Sequence, residues 1–430
     1  MNCIPGTGTK SFAVQRALLL LLTICGLCLT GSCSATDAPE ESTSSVYAMT
    51  YHLVPQPENN QMRVELTLKQ ARPLLKEMRM HMPADYFGDF AGDGDISFEE
   101  GNLVWTPPER GGALSWTAKV NRLKTRDRYD AYMSDTWAIM RTSDVMPPAA
   151  TRTLKDATSK TSMKFSLPNG WSSVTQYKGS DNQYEVNNAN RRFDRATGWI
   201  LLGKIGIRTE EIAGVRVKIA APKNHDVRRM DMLALLAWTL PDVTRLFSAF
   251  PERLTIISGN DPLWRGGLSA PSSMFIHASL PLISENGTSA FLHEIVHIGM
   301  RASATDGADW IIEGMAEYYG LQLLLRSGTI VETRYHRALD NLKTWGDEAP
   351  TLCGDQSNGA VTARATWLMH DLDQEIRKST KNTNNLDDVM NLLARQDQAI
   401  TIDDLTNAVS TVLPSGSKVL DATDLSGCTS

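Results

Sequence analysis

The stretch TSAFLHEIVHIGM, residues 288–300, decides how this chain is read. It contains His293-Glu294-Ile295-Val296-His297, an HExxH pattern. On a helix, residues four apart share a face, so both imidazoles can reach one ion while Glu294 stands beside them. The flanking residues are apolar enough for a buried helix, where unpaired ionisable side chains are costly. A divalent cation supplies the compensation. A zinc site of this kind needs a third protein ligand and an open position for water. The next apolar stretch, WIIEGMAEYY at 310–319, offers Glu313 as that ligand. Gly314 beside it allows close helix packing. Glu317, one turn on, is placed to accept the free ring N–H of a ligating histidine, and its alternative is a solvated surface charge.

Working outward from this pair, nearly everything after 286 has helical periodicity: 288–302, 307–327, 332–345, 361–378, 386–396 and 402–412. Upstream, LTIIS (254–258) and MFIH (274–277) read as strands around the glycine-rich WRGGLSA (264–270). The segment 227–250 reads as a helix broken at Pro241. From 46 to 209 the pattern is mostly of period two, as in VYAMTYHLV (46–54), MRVELTLKQA (62–71) and GALSWTAKV (112–120). The run WILLGKIGIRTEEIAGVRVKIAAP (199–222) reads as a hairpin leading into the next domain. The expected class is α+β and multidomain. An antiparallel β domain at 45–209 precedes a second domain at 210–430 whose later half, 286–430, is helical, with a cleft between the two lobes.

The N-terminus has a different character. Lys10 and Arg16 precede the apolar run ALLLLLTICGLCL (17–29), which has the length of a signal-peptide core and is too short to span a bilayer. Leu29-Thr30-Gly31-Ser32-Cys33 follows and resembles a bacterial lipobox, which implies a lipidated Cys33 and a polar tether at 34–44. Ser34 after the cysteine implies the outer membrane, on its periplasmic side. The alternative is secretion with cleavage after Ala35. Cys3, Cys25 and Cys28 leave with the signal, so Cys353 and Cys428 remain. In an oxidising compartment they read as one disulfide, the alternative being two free thiols. A net charge of −6 gives no general attraction to nucleic acid.

HExxH followed by EGxxEYY resembles the gluzincin metallopeptidases. LLLRSGTIVETRYHRALDNL (323–342), LDQEIRKST (372–380) and NNLDDVMNLL (384–393) resemble the catalytic region of the glycyl aminopeptidase family, whose members often carry a PDZ domain. No PDZ domain is expected here. The resemblance covers roughly 261–412 and implies a thermolysin-like catalytic domain. It also implies one zinc per chain, Glu294 as catalytic base, and a peptide-binding edge strand near Gly266, Gly267 and Ser269. We place that edge at 272–277.

Two family features are missing. Where the family has Gly-Gly-x-Glu near the substrate's amino group, this chain has Gly266-Gly267-Leu268-Ser269. Where the family has a tyrosine that stabilises the oxyanion, Val361-Thr362-Ala363-Arg364-Ala365 has none. His277, His336, His370 and Tyr319 are the candidate replacements for the donor, Glu317 and Glu285 for the anchor, and Tyr335 is expected in the core. The expected activity is zinc-dependent hydrolysis of peptide bonds in a peptide or protein substrate, at an envelope membrane. The rivals are a zinc-binding pseudopeptidase acting as an envelope scaffold and a metal-free structural lipoprotein.

Overall fold

The computed structural model describes residues 45–188, 193–354, 356–394, 396, 398–423, 425 and 428. The signal segment, Cys33 and the 34–44 tether lie outside them. Residues 44–430 form one compact unit.

The first part is built of strands, and alternate burial along Val46–Gln56 and Gln61–Lys69 is the period-two pattern of the sequence made solid. These two strands pair antiparallel, and Gly111–Lys119 adds to the second. The other edge of Val46–Gln56 pairs with Thr158–Phe165 in the parallel sense, from Val46 opposite Thr158 to Leu53 opposite Phe165. The β region is therefore not antiparallel throughout. Side-chain alternation is the same for either sense, so periodicity cannot tell them apart. The long chain excursion between these two strands permits the parallel crossover. Trp105, Trp116, Met62 and Leu53 fill the core.

The second part is a five-stranded sheet with helices on one side. Its order is Ile205–Ile212, Val215–Pro222, Arg253–Gly259, Ser273–His277 and Gly267–Ala270. The first two strands form a hairpin that runs unbroken across 209 and 210, turning at Ala213 and Gly214, both in the left-handed region. Helix α1 (Arg229–Leu246) is the crossover to Arg253–Gly259. It is not broken at Pro241. Leu236, Leu240, Val243 and Leu246 hold both halves against the core, and Pro241 sits on the exposed side. The missing N–H removes one backbone bond without ending the helix.

The sheet edge also differs from expectation. Ser273–His277 is an inner strand, because WRGGLSA forms its own strand at Gly267–Ala270 and turns back through Ser272 to cover it. The opposite face of this sheet packs on strands of the first part through Trp137, Ile139, Trp199 and Leu201, which meet Ile257 and Phe275. The helices follow as α2 (Ala290–Met300), α3 (Asp309–Arg326), α4 (Glu332–Gly346), α5 (Ala360–Ser379), α6 (Leu386–Leu393), α7 (Ile402–Val412) and the short α8 (Lys418–Asp421).

Candidate metal centre

The site begins with a helix cap. Ser289 Oγ accepts the Leu292 N–H at 3.2 Å and donates to the Leu282 carbonyl at 2.6 Å, fixing where α2 starts and how it is turned. Phe291, Leu292, Ile295 and Val296 then go into the core, while His293, Glu294 and His297 remain partly open on the other face. Gly299 allows Phe247 to lie against α2, since a Cβ there would stand 2.4 Å from the Phe247 ring.

Helix α3 crosses α2 and brings Glu313 to the histidines. His293 Nε2 lies 3.2 Å from one Glu313 oxygen, His297 Nε2 lies 3.3 Å from the other, and the two Nε2 atoms are 3.1 Å apart. Glu317 Oε2 sits 3.0 Å from His293 Nδ1, so the carboxylate fixes which ring nitrogen of His293 faces the cluster. Burial disfavours a charged His293, but hydrogen bonds to Glu313 and Glu317 outweigh it and hold the imidazole well above its ordinary pKa. Burial also pushes Glu313 up, and its bonds to both imidazoles drive it far below the usual carboxylate range. Two imidazole nitrogens and a carboxylate thus face one meeting point.

Zinc fits this donor set. One atom each from His293, His297 and Glu313 lie within 4.8 Å of one another. Two imidazole nitrogens and a carboxylate oxygen are donors that zinc accepts, and three of them leave a position free. Among the described residues this is the group of three or more such side chains with metal-binding spacing.

Glu294 points to the sheet edge. A Cβ at Gly267 would stand 2.6 Å from Glu294 Cγ and 2.9 Å from Oε1, so only glycine lets the strand approach this carboxylate. At Gly266 a Cβ would meet the Trp264 ring. The His277 N–H donates to the Gly266 carbonyl at 3.0 Å. With that register, the backbone N–H and C=O of Gly267 and Ser269 point off the edge. Trp199 Nε1 braces the strand by donating to the Leu268 carbonyl at 3.0 Å. Gly314, in contrast, serves a different helix from the one nearest in sequence. A Cβ there would meet Ala365 at 2.7 Å, so it sets the α3–α5 contact, whereas Gly320 lies over α2 beside His293.

A cavity of ≈ 470 Å³ opens from the cluster. His293, Glu313 and Glu317 line one end, and α4, the 357–359 loop and the start of α5 line the rest. Asn341, Trp345, Asn358 and Thr362 are the wall residues that sequence reasoning missed. Ala338, Asn341, Leu342 and Trp345 recur at one helical face, a signal present in the sequence but indistinguishable there from core packing.

None of the suggested replacement donors lines this cavity. Tyr319 donates to Asp387 at 2.9 Å, His277 bonds Ser279 at 2.8 Å, His336 lies on the surface near Glu332, and His370 lies tilted against Trp367. Tyr335 is buried, bonded to Gln322 at 2.6 Å. Glu285 is exposed and outside the cavity lining. Cys353 and Cys428 form a disulfide, which ties the C-terminal tail to the loop carrying Ser357. The Ser357 N–H in turn donates to Asp309 at the start of α3, at 2.8 Å.

The sequence matches no protein-family model and no curated protein. Solved structures do share the fold. An aminopeptidase N family protein from Idiomarina loihiensis superposes with a TM-score of 0.66 at 14% identity, over 87% of this chain and 74% of that one. An M1 zinc metallopeptidase from Deinococcus radiodurans gives 0.58 at 13%, over 87% of this chain and 91% of that one. The likeness is one of fold, and it takes in both the mostly β N-terminal part and the helical C-terminal part of this chain.

Proposed function

We propose that this chain is a zinc-dependent peptidase held at a bacterial envelope through a lipidated Cys33, on the periplasmic side of the outer membrane. One observation carries the activity: two imidazole nitrogens and a carboxylate converge within 3.3 Å contacts, with no lysine or arginine among the residues lining their cavity. His293, His297 and Glu313 hold the metal, and bound zinc supplies Lewis acidity there. Glu294 takes a proton from the attacking water at a carboxylate oxygen and passes it to the leaving amine. Glu317 keeps the His293 ring oriented. Gly267 and Ser269 offer their outward N–H and C=O groups to an extended peptide. The contact between this edge strand and the HExxH helix supports a thermolysin-like placement of the two. The stretches at 323–342, 372–380 and 384–393 support a place near the glycyl aminopeptidases within the gluzincins.

A second reading, a zinc-binding pseudopeptidase acting as a scaffold, draws on one fact: no tyrosine lines the cavity to stabilise an oxyanion. Loss of one such donor costs about two to three powers of ten in rate. Metal analysis of the full chain, followed by a peptide-library digest of wild type and Glu294→Gln, separates the readings. Zinc with cleavage that vanishes in Glu294→Gln establishes the peptidase. Zinc with no cleavage by either protein establishes the scaffold. For the anchor, detergent partitioning lost on Cys33→Ser is expected, and a free N-terminus at Thr36 refutes lipidation.

A further inference from the structure

Helix α1 exposes large apolar side chains on its outer face as well as burying them on its inner one. Leu236, Leu240 and Val243 go into the core. The exposed positions are Met230, Asp231, Ala234, Ala237, Trp238, Pro241 and Arg245, so the outer face is mostly apolar with an arginine near its far end. Met230 is 58% exposed and Trp238 60%, and Ile207 on the neighbouring strand is 40% exposed. An exposed apolar stripe normally has a partner, and among the described residues this one has a partner on its inner side only.

Beside the Met230 end lies a cavity of ≈ 440 Å³ bounded by Arg208, Arg228 and Arg229, with Asp231 the single acidic residue in its lining. Asp231 stands 3.9 Å from Arg228 and leaves the other two guanidiniums unmatched. Arg229 lies flat on Gly206, where a Cβ would be 2.9 Å from its Nη2, and its buried Nε has no hydrogen-bond partner. Burial and the adjacent Arg208 pull the Arg229 guanidinium below its ordinary pKa. Three guanidiniums with a single carboxylate thus stand next to an aromatic-bearing apolar ridge.

We propose that this face of α1 docks on an anionic lipid surface. Arg208, Arg228 and Arg229 receive headgroup phosphates, and Ile207, Met230 and Trp238 enter the interfacial layer. Guanidinium forks match phosphate oxygens in pairs, and an indole belongs where an apolar layer meets a wet one. Charge complementarity selects this occupant, because an apolar protein partner has no use for three clustered arginines. With a net charge of −6, most of the chain is repelled by such a surface, so the local cluster sets the orientation. No helix among the described residues is long and apolar enough to cross a membrane, which makes this a surface contact.

The test uses the full chain with vesicles of phosphatidylglycerol or phosphatidylcholine carrying brominated acyl chains, which quench indoles at the interface. The chain has 10 tryptophans, so the signal of interest is the difference between wild type and Trp238→Phe. Quenching of Trp238 is expected on the anionic vesicles and not on the zwitterionic ones. Each arginine near an anionic surface strengthens binding about fivefold, so Arg208→Glu with Arg228→Glu weakens it more than about a hundredfold. Both side chains are exposed, so the fold tolerates the change, and added salt must weaken wild type in the same direction. Equal quenching in wild type and Trp238→Phe overturns the proposal, as does indifference to the charge reversal. A vesicle-independent dimer dispersed by Trp238→Ser assigns the face to a second copy. Trp238 emission already like that of a buried indole in the free protein assigns it to the chain's own N-terminal segment. Either result also overturns it.

Discussion

Helix α3 takes part in two acidic clusters, and they are completed in opposite ways. Toward its C-terminal end, Tyr318 donates to Asp373 and Tyr319 to Asp387, each at 2.9 Å, and the two aspartates are neutralised by Arg377 and Arg326 at 2.7 and 2.8 Å. That cluster is closed: its cations belong to the chain. Toward the N-terminal end, Glu313 and Glu317 meet only His293 and His297. In the function proposed above, a bound metal supplies the positive charge of this second cluster. The structural carboxylates reach α3 from α5 and α6, whereas the proposed ligand Glu313 belongs to α3 itself, and the two differ in which cation answers them rather than in burial alone.

The largest expected effects test that contrast directly. Glu294→Gln removes the proposed base and should lower cleavage by about two to four powers of ten while zinc content stays at one per chain. Glu313→Ala should lose the zinc, measured by metal analysis of the purified protein. Full occupancy in Glu313→Ala breaks the comparison. Asp373→Ala, at the closed end, should do the reverse. It leaves Arg377 and Tyr318 without their partner and should cost about 3 to 5 kcal/mol of stability by denaturant titration, with zinc retained.

Glu317→Ala gives a smaller and sharper test. Its carboxylate touches His293 Nδ1 and stays off the side of the ring that faces the cluster. Metal affinity should fall about ten- to a hundredfold, by competition with a chelator, and not vanish. An unchanged affinity would place Glu317 with the solvated surface charges.

Much of the open cluster was legible in the sequence because local rules govern it. Spacing of four puts His293 and His297 on one face, and the same spacing puts Glu313 and Glu317 on another. The helices fell close to expectation for the same reason: 307–327 against Asp309–Arg326, and 361–378 against Ala360–Ser379. What escaped is set by distant pairing. The parallel partner of Val46–Gln56, the covering of Ser273–His277 by Gly267–Ala270, and the contact of Gly314 with α5 all join segments that periodicity treats separately. The helix α1 through Pro241 escaped because core contacts on both sides overrule the local break. The cavity wall was hidden because Asn341, Thr362 and Trp345 have no residue type that announces chemistry.

The smallest expected effect concerns which end of a substrate is read, and here the open cluster can be sharpened further. An enzyme that anchors a free N-terminus needs a carboxylate where the ammonium sits. At the outward edge beside Glu294, the matching position is Ser269, a neutral residue with a weak acceptor. Glu285 is exposed and outside the cavity lining. Glu317 is already engaged by His293 Nδ1 at 3.0 Å, and Glu313 by both histidines. Among the residues lining the cavity, no carboxylate is left over for a second cation. Binding an ammonium therefore gains little, and removing its charge should cost little. One peptide assayed with and without an N-acetyl cap should be cut at rates within about threefold of each other, the equivalent of less than about 1 kcal/mol. Strict dependence on the free amine, with residues released singly from that end, would mean that Glu317 or Glu313 divides its charge between metal site and substrate. The open cluster would then carry two jobs, and Glu317→Ala would abolish the amine dependence along with the metal affinity.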